Sequence, residues 1–296
     1  MRLKVVESLR SALRSAGCPV VVDDVGARVA EELGLENVLR VDSADLVGLE
    51  KVHAAIHESG ARRIVGLGGL PAVNAAKVLA SPRLRGKSLR EVYYDERKPA
   101  VEVLLVPLEP AYCTDLSDLV LVYDSKIPAW LVRRAYGNTY VATFAYLEEA
   151  GRSPRTRVVV RDMSLAGYSD VDPGESYVSL CSIYEGRAPG PLLIAAMTLS
   201  SILGWSLDGA VEAVAGAKFE EALKEAFEQE NPESWLEKEM RLRRAQPRLW
   251  KRVDLLVEHA WTFYSLRLRS LGFRGKVEVY KLFRSLLSSL PAVGTP

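Results

Sequence analysis

Histidine is scarce in this chain of 296 residues: His53, His57 and His259 are the only three. Cysteine also numbers three, and glutamine is confined to Gln229 and Gln246. So few histidines leave no Ser-His-Asp or Cys-His arrangement, and activating a nucleophile would need another base. Cys18, Cys113 and Cys181 are far apart and form no CxxC pair. They read as small buried hydrophobes of a reducing compartment, not as a disulfide frame or a zinc site. Long apolar runs are missing too. The longest, Pro191 to Trp205, is too short to span a bilayer and contains Thr198, Ser200 and Ser201. The opening MRLKVVESLRSALRSAG has no apolar signal core and reads as an amphipathic helix over residues 4–16. The expectation is a cytoplasmic protein with no membrane partner. Neither charge sign dominates: the net charge is +1, so the whole-chain balance points to no polyanion partner. Sparse Gln and Asn, with Arg favoured over Lys, lean toward a heat-adapted source, a thermophile.

What is present is alternation. Short apolar runs (Pro19–Asp24, Val38–Val41, Arg63–Leu67, Val101–Pro107, Leu119–Tyr123) are separated in the first half by helical patterns over 26–34, 45–59 and 72–79. Such alternation implies a parallel sheet covered on both faces. Residues 128–150 read as helical, 157–161 as a strand or a helix start, and 170–191 as irregular. Beyond Pro191 the pattern has helical period over 191–203, 206–229, 231–245, 247–271 and 275–289. Pro232 and Pro247 suit first turns. The reading is an α/β domain over residues 1–150 and a mainly helical domain over 151–296.

The segment RIVGLGGLPAVNAAKVLA, residues 63–80, is laid out as strand, glycine turn and helix. Its Gly68-Gly69-Leu70-Pro71-Ala72-Val73-Asn74-Ala75-Ala76-Lys77 resembles the Gly-Gly-Gly-Ser-x-x-Asp-x-x-Lys signature of the iron-containing alcohol dehydrogenase and dehydroquinate synthase superfamily, glycerol-1-phosphate dehydrogenase being its nearest type. Val106-Pro107-Leu108-Glu109 sits where that family has Val-Pro-Thr-Thr, and Leu119–Ser125 resembles its later strand ending in aspartate. The resemblance covers residues 15–150. It implies an N-terminal Rossmann-like domain followed by a helical, metal-binding domain (the dehydroquinate synthase-like fold), an NAD(P) cofactor or a phosphorylated ligand in the cleft between them, and a homodimer. Gly68, Gly69 and Lys77 would then touch the phosphates, with Asn74 and Pro107 also in the cofactor-binding site. Asp23 or Asp24, at the end of the first strand, would meet the ribose; the plain alternative is a solvated strand end or a helix cap.

The departures bear on catalysis. The third glycine is Leu70, and the serine is Pro71, which has no amide to donate. Asn74 stands for the aspartate, and Glu109 brings negative charge near the phosphates. The helix N-terminus still attracts an anion, so the site reads as weakened. The family's metal is a Lewis acid held by Asp and His. Here Gly137–Thr143, where its aspartate should fall, has no acid or histidine. His53 and His57 read as a surface pair, and Asp254, Glu258 and His259 do not share one helix face. No metal is expected, and the reading is a divergent dehydrogenase-like protein: an NAD(P)-dependent alcohol or polyol oxidoreductase if turnover survives, a pseudoenzyme if the missing metal site abolishes it. The alternative is a non-catalytic binding protein. Its basic helical region, including Arg241, Arg243, Arg244 and Arg252 with Trp250, Trp261 and Tyr264 interleaved, would bind nucleic acid or a protein partner. The same pattern also fits paired charges over a buried aromatic core.

Overall fold

The computed structural model describes residues 2–5, 10, 13, 18–95, 99–135, 139–143, 146–168, 176–229 and 231–290. The chain forms two compact units, Met1–Met163 with Asp170–Ala188, and Ser164–Ser169 with Pro189–Pro296.

The first unit is built on strands β1 (Arg2–Val5), β2 (Val20–Val22), β3 (Val38–Arg40), β4 (Arg63–Gly68), β5 (Glu102–Pro107) and, beyond a hairpin, β8 (Thr139–Thr143). They form one six-stranded sheet in the order β1-β8-β5-β4-β2-β3, and every adjacent pair is parallel. Parallel strands need crossovers. Three are helices α1 (Asp24–Glu32), α2 (Glu50–Glu58) and α3 (Leu70–Leu79), with α4 (Leu89–Tyr94) following α3 before β5. Val20, Val22, Val65, Leu67, Leu104, Val106 and Ala142 form one core layer of the sheet with Ala30 of α1. α3 is apolar nearly all round, and its Ala72, Ala75, Ala76 and Val78 are fully buried.

Close approach is enforced by glycine. A Cβ at Gly26 on α1 would lie 1.9 Å from the Leu67 carbonyl oxygen. No side chain rotation relieves that clash, because it is with backbone. Gly26→Ala is therefore expected to cost about 1–3 kcal/mol, the range for overpacking a well-packed site. Denaturant unfolding measures it; an unchanged midpoint would mean α1 does not sit this close to β4.

Strands β6 (Leu119–Asp124) and β7 (Ala129–Arg134) pair antiparallel as a separate two-stranded sheet. Helices α5 (Tyr146–Ala150), α6 (Pro154–Leu165) and α7 (Tyr177–Glu185) follow. The second unit holds α8 (Pro191–Leu203), α9 (Leu207–Gly216), α10 (Phe219–Phe227), α11 (Pro232–Ala245), α12 (Pro247–Ser270) and α13 (Lys276–Ser289). α8 is its apolar centre, with Leu192 to Leu199 at most 3% exposed, and packs on α9 and α12. α13 packs on α10 and α12.

Several expectations are corrected. β6 belongs to the hairpin, not to the parallel sheet. Residues 128–150 are β7, β8 and α5 rather than one helix: Trp130, Leu131 and Val132 pair across to Tyr123, Val122 and Leu121 of β6, respectively, and that pairing overrides helical period. Residues 2–5 are a strand; most of the expected helix over 4–16 lies outside the described residues. Residues 157–161 are helical, within α6. α7 occupies much of the segment expected to be irregular, while residues 169–175 lie outside the described residues. The helix expected over 206–229 is interrupted at Ala217 and Lys218, just after Gly216.

Candidate functional site

The glycine turn stands where β4 ends and α3 begins, so α3 aims its N-terminal amides at the turn. In a phosphate cradle those amides are donors to an anion. Here the anion belongs to the chain. The Asp23 carboxylate, 5% exposed, accepts from Gly69 N at 2.8 Å and Ala72 N at 3.5 Å through Oδ2, and from Gly26 N at 3.0 Å through Oδ1. One carboxylate thus serves the N-termini of two helices, capping α1 and filling the mouth of α3. Gly68 has φ +145°, and a Cβ there would meet Asp23 Oδ1 at 2.3 Å. Gly69 is crowded from the other side, where a Cβ would lie 3.1 Å from Glu109 Oε2. Glu109 is held by Arg155 of α6 at 2.8 Å. Pro107 is next to Gly68 in the β4–β5 register, and Leu108 N donates to Gly68 O at 2.8 Å. Asp24 points elsewhere: its side chain is exposed and pairs with Arg40 on β3. Asp23, Gly68, Gly69 and Pro107 are brought together, and Asp24 is not. A pyrophosphate does not fit amides already satisfied by a buried carboxylate, with a second carboxylate beside it.

Asn74 and Lys77 lie further along α3 and face a loop, not the turn. Lys77 is buried, and its ammonium donates to three backbone carbonyls: Thr114 O, Ser117 O at 2.7 Å and Leu119 O at 2.8 Å. Burial pulls its pKa down to about 8. Asn74 donates to Leu70 O at 2.8 Å and Thr114 Oγ1 at 3.0 Å, and accepts from Leu121 N at 2.7 Å. Three residues apart on a helix, the two share a face. Together they hold the segment from Thr114 to Leu121 against α3.

α7 grips the same segment. Tyr177 and Cys181, one turn apart, meet Asp115 and Cys113. The Tyr177 hydroxyl donates to Asp115 Oδ1 at 3.0 Å, and the Tyr146 hydroxyl donates to Oδ2. Asp115 is fully buried, and burial pushes its carboxyl pKa up. Cys113 and Cys181 form a disulfide, with Cα atoms 4.9 Å apart. This overturns the reading of those two cysteines as free thiols; only Cys18 is free. Their separation of 68 residues hid the pairing, because the close approach comes from α7 docking on the loop. Tyr112 and Cys113 adopt left-handed backbone, φ 50° and 63°. That costs a non-glycine residue on the order of 1–2 kcal/mol each, which the surrounding contacts offset.

The histidines are placed by the fold rather than gathered. His53 is buried, not on the surface, and its Nε2 and that of His57 both lie 2.8 Å from Ser81 O. A carbonyl only accepts, so both Nε2 atoms carry hydrogen and offer no lone pair to a metal there. His259 is in the helical unit, packed against Phe263 and Tyr264. Asp254 pairs with Arg243, and Glu258 with Lys276. No three His, Cys, Asp or Glu side chains converge on a metal position among the described residues. Of the expected aspartate stretch Gly137–Thr143, residues 137 and 138 lie outside the described residues. No described helix is long and apolar enough to cross a membrane.

In the basic helical region, Trp250 is 5% and Tyr264 7% exposed, and Trp250 stacks on Tyr280 at 5.0 Å. Arg243 lies over both rings of that stack, and Arg241 pairs with Glu237. Arg284 joins Glu225 and Glu239.

No protein-family model matches the sequence. No curated protein matches it. Solved structures do match the fold. An archaeal halo-thermophilic alcohol dehydrogenase from a Red Sea brine pool superposes with a TM-score of 0.60 at 11% identity, over 96% of each chain. The NADH-dependent butanol dehydrogenase A of Thermotoga maritima gives 0.53 at 12% identity, over 98% of this chain and 97% of that one. An iron-containing alcohol dehydrogenase of the same organism gives 0.53 at 11%, over 97% and 98%. A six-stranded parallel sheet with its glycine turn, followed by a helical unit, is in this chain the α/β-plus-helical fold of the iron-containing alcohol dehydrogenases.

Proposed function

We propose that this protein uses the alcohol-dehydrogenase fold as a non-catalytic binding scaffold, with no NAD(P) seated on the Gly68–Gly69 turn. The observation that carries this reading is the 2.8 Å bond from Gly69 N to the Asp23 carboxylate. A dinucleotide would have to displace a buried anion that caps two helices. Its pyrophosphate would then face Glu109 and receive nothing from Lys77, whose three protons go to carbonyls. The fold neighbour from Thermotoga maritima is NADH-dependent, which makes dinucleotide binding the competing reading. The chemistry of the donors argues the same way for the metal: the two adjacent histidines spend their converging nitrogens on Ser81 O.

The test is thermal melting of the full chain with NAD+, NADH, NADP+ and NADPH, with and without zinc or ferrous iron. No rise beyond that given by inorganic pyrophosphate alone is expected at about 1 mM nucleotide, a level where a ligand of about 10 µM Kd adds about 2.7 kcal/mol of stability. A clear, saturable rise with a dinucleotide that inorganic pyrophosphate does not reproduce would return the turn to cofactor binding and refute the scaffold reading.

A further inference from the structure

The loop joining α3 to α4, Ser81-Pro82-Arg83-Leu84-Arg85-Gly86-Lys87-Ser88, carries three cations in five residues. It lies at the far end of α3 from the glycine turn, about 15 Å away for a ten-residue helix. It is pinned at both ends. Ser81 O accepts from both histidines of α2, and Leu89 N donates to Glu50 Oε2 at 2.6 Å. Ser88 closes a capping box with Glu91. In the middle, Arg83 pairs with Glu58 at 2.7 Å. A loop fixed this way holds its side chains over α2 with little ordering left to do when a ligand arrives.

Between the loop and α2 is a pocket of about 860 Å³, within the size range of small-molecule sites. Its charged lining is Lys51, Arg83, Arg85 and Lys87 against one carboxylate, Glu50, with His57 beside them. Glu50 is already engaged by Leu89 N. Lys87 pairs with Asp95 and Arg83 with Glu58, both outside the lining. The side chains of Lys51 and Arg85 are exposed and make no hydrogen bond or ion pair among the described residues. A concave site with two unengaged cations and two more at its rim matches a compact, multiply charged anion better than it matches an extended strand. The guanidinium fork of Arg85 suits phosphate oxygens, and Lys51 adds a point charge.

We propose that this pocket binds a small phosphate-bearing anion with at least two negative groups, held chiefly by Lys51 and Arg85. The site is separate from the glycine turn, shares no residue with it, and stands whether or not a dinucleotide binds there. Nucleic acid is the different partner that the same cations would serve on an open surface.

The experiment is isothermal titration calorimetry of the full chain with inorganic pyrophosphate and, separately, ATP at low salt. It is repeated on the K51A/R85A double variant and on R274A, a control at an exposed position between α12 and α13. Both substituted positions of the double variant are exposed, and its melting temperature checks that it folds. Saturable binding of pyrophosphate or ATP is expected, weakened at least about tenfold in the double variant and unchanged in R274A. Three results would overturn the proposal. One is no binding of either anion at millimolar concentration. Another is equal binding by wild type and the folded double variant. The third is a short single-stranded oligonucleotide that binds more tightly than ATP and is equally weakened by K51A/R85A, which would assign the cations to nucleic acid.

Discussion

Replacing Lys77 with methionine is expected to destabilise the protein by about 3–5 kcal/mol. The side chain keeps its length, so packing along α3 changes little. What is lost is the ammonium that satisfies Thr114 O, Ser117 O and Leu119 O. A buried carbonyl left without a donor costs about 1–3 kcal/mol, and three share this one cation. Denaturant unfolding of wild type and K77M at neutral pH measures it. If Lys77 were a phosphate ligand instead, K77M would leave stability nearly unchanged and weaken a ligand; a loss below about 1 kcal/mol would therefore sink the structural role. The pH dependence has a definite sign. Lys77 is lowered from 10.5 to about 8, so between those values the unfolded chain binds more protons than the folded one. Its contribution to stability therefore rises with pH across that window, by up to about 1.4 kcal/mol per unit, and is flat below pH 8. The gap between wild type and K77M should widen from pH 8 toward pH 10.

The C113A/C181A double variant is expected to lose about 4 kcal/mol. Its cross-link closes a long loop, the cysteines being 68 positions apart in the chain, and chain entropy grows with that length. For a unit of this size the loss corresponds to a drop in Tm of about 10 °C. The same drop should follow from a reductant on the wild type, once the protein is opened enough for it to reach sulfurs that are fully buried. Thiol titration of the unfolded, unreduced chain is the direct check. One thiol, from Cys18, is expected. Three thiols per chain would show that Cys113 and Cys181 are not paired, and the stability prediction would go with them. The bond also bears on the loop geometry. Cys113 and Tyr112 are held in left-handed backbone by contacts from α7, so opening the disulfide should loosen the Ala111–Leu119 loop before it disturbs the sheet. Hydrogen exchange resolves that order.

Four of the six strands of the parallel sheet, β2 to β5, and the helices crossing between them were legible because each is a local pattern. Val20–Val22, Arg63–Gly68 and Glu102–Pro107 are apolar runs of strand length bounded by turn residues, and Pro191, Pro232 and Pro247 do open helices. The reach of the glycine turn was legible too, as strand, Gly-Gly and helix. The hairpin was not. Ala129–Arg134 has a mixed pattern that suits a helix as well as a strand, and only pairing with Leu119–Asp124 decides it. α7 was hidden for a related reason: a segment dense in Gly, Pro, Ser and Asp runs directly into Tyr177–Glu185, and its helix is stabilised by contacts to the distant loop at 113–118.

By itself, the sequence determined strands β2 to β5 with the helices between them, the α/β unit followed by the helical one, and the resemblance of residues 68–77 to a phosphate-binding signature. Those properties depend on neighbours a few residues apart, where hydrophobic period and turn chemistry act. Only the tertiary structure decided what the signature residues do. Asp23 and Gly69 are 46 residues apart in the chain and 2.8 Å apart in space. Lys77 and the carbonyls it holds are about 40 residues apart. A carboxylate at a strand end reads the same whether it meets a ribose or fills a helix mouth. Sheet register and helix packing bring it to the amides, and no local pattern encodes that distance.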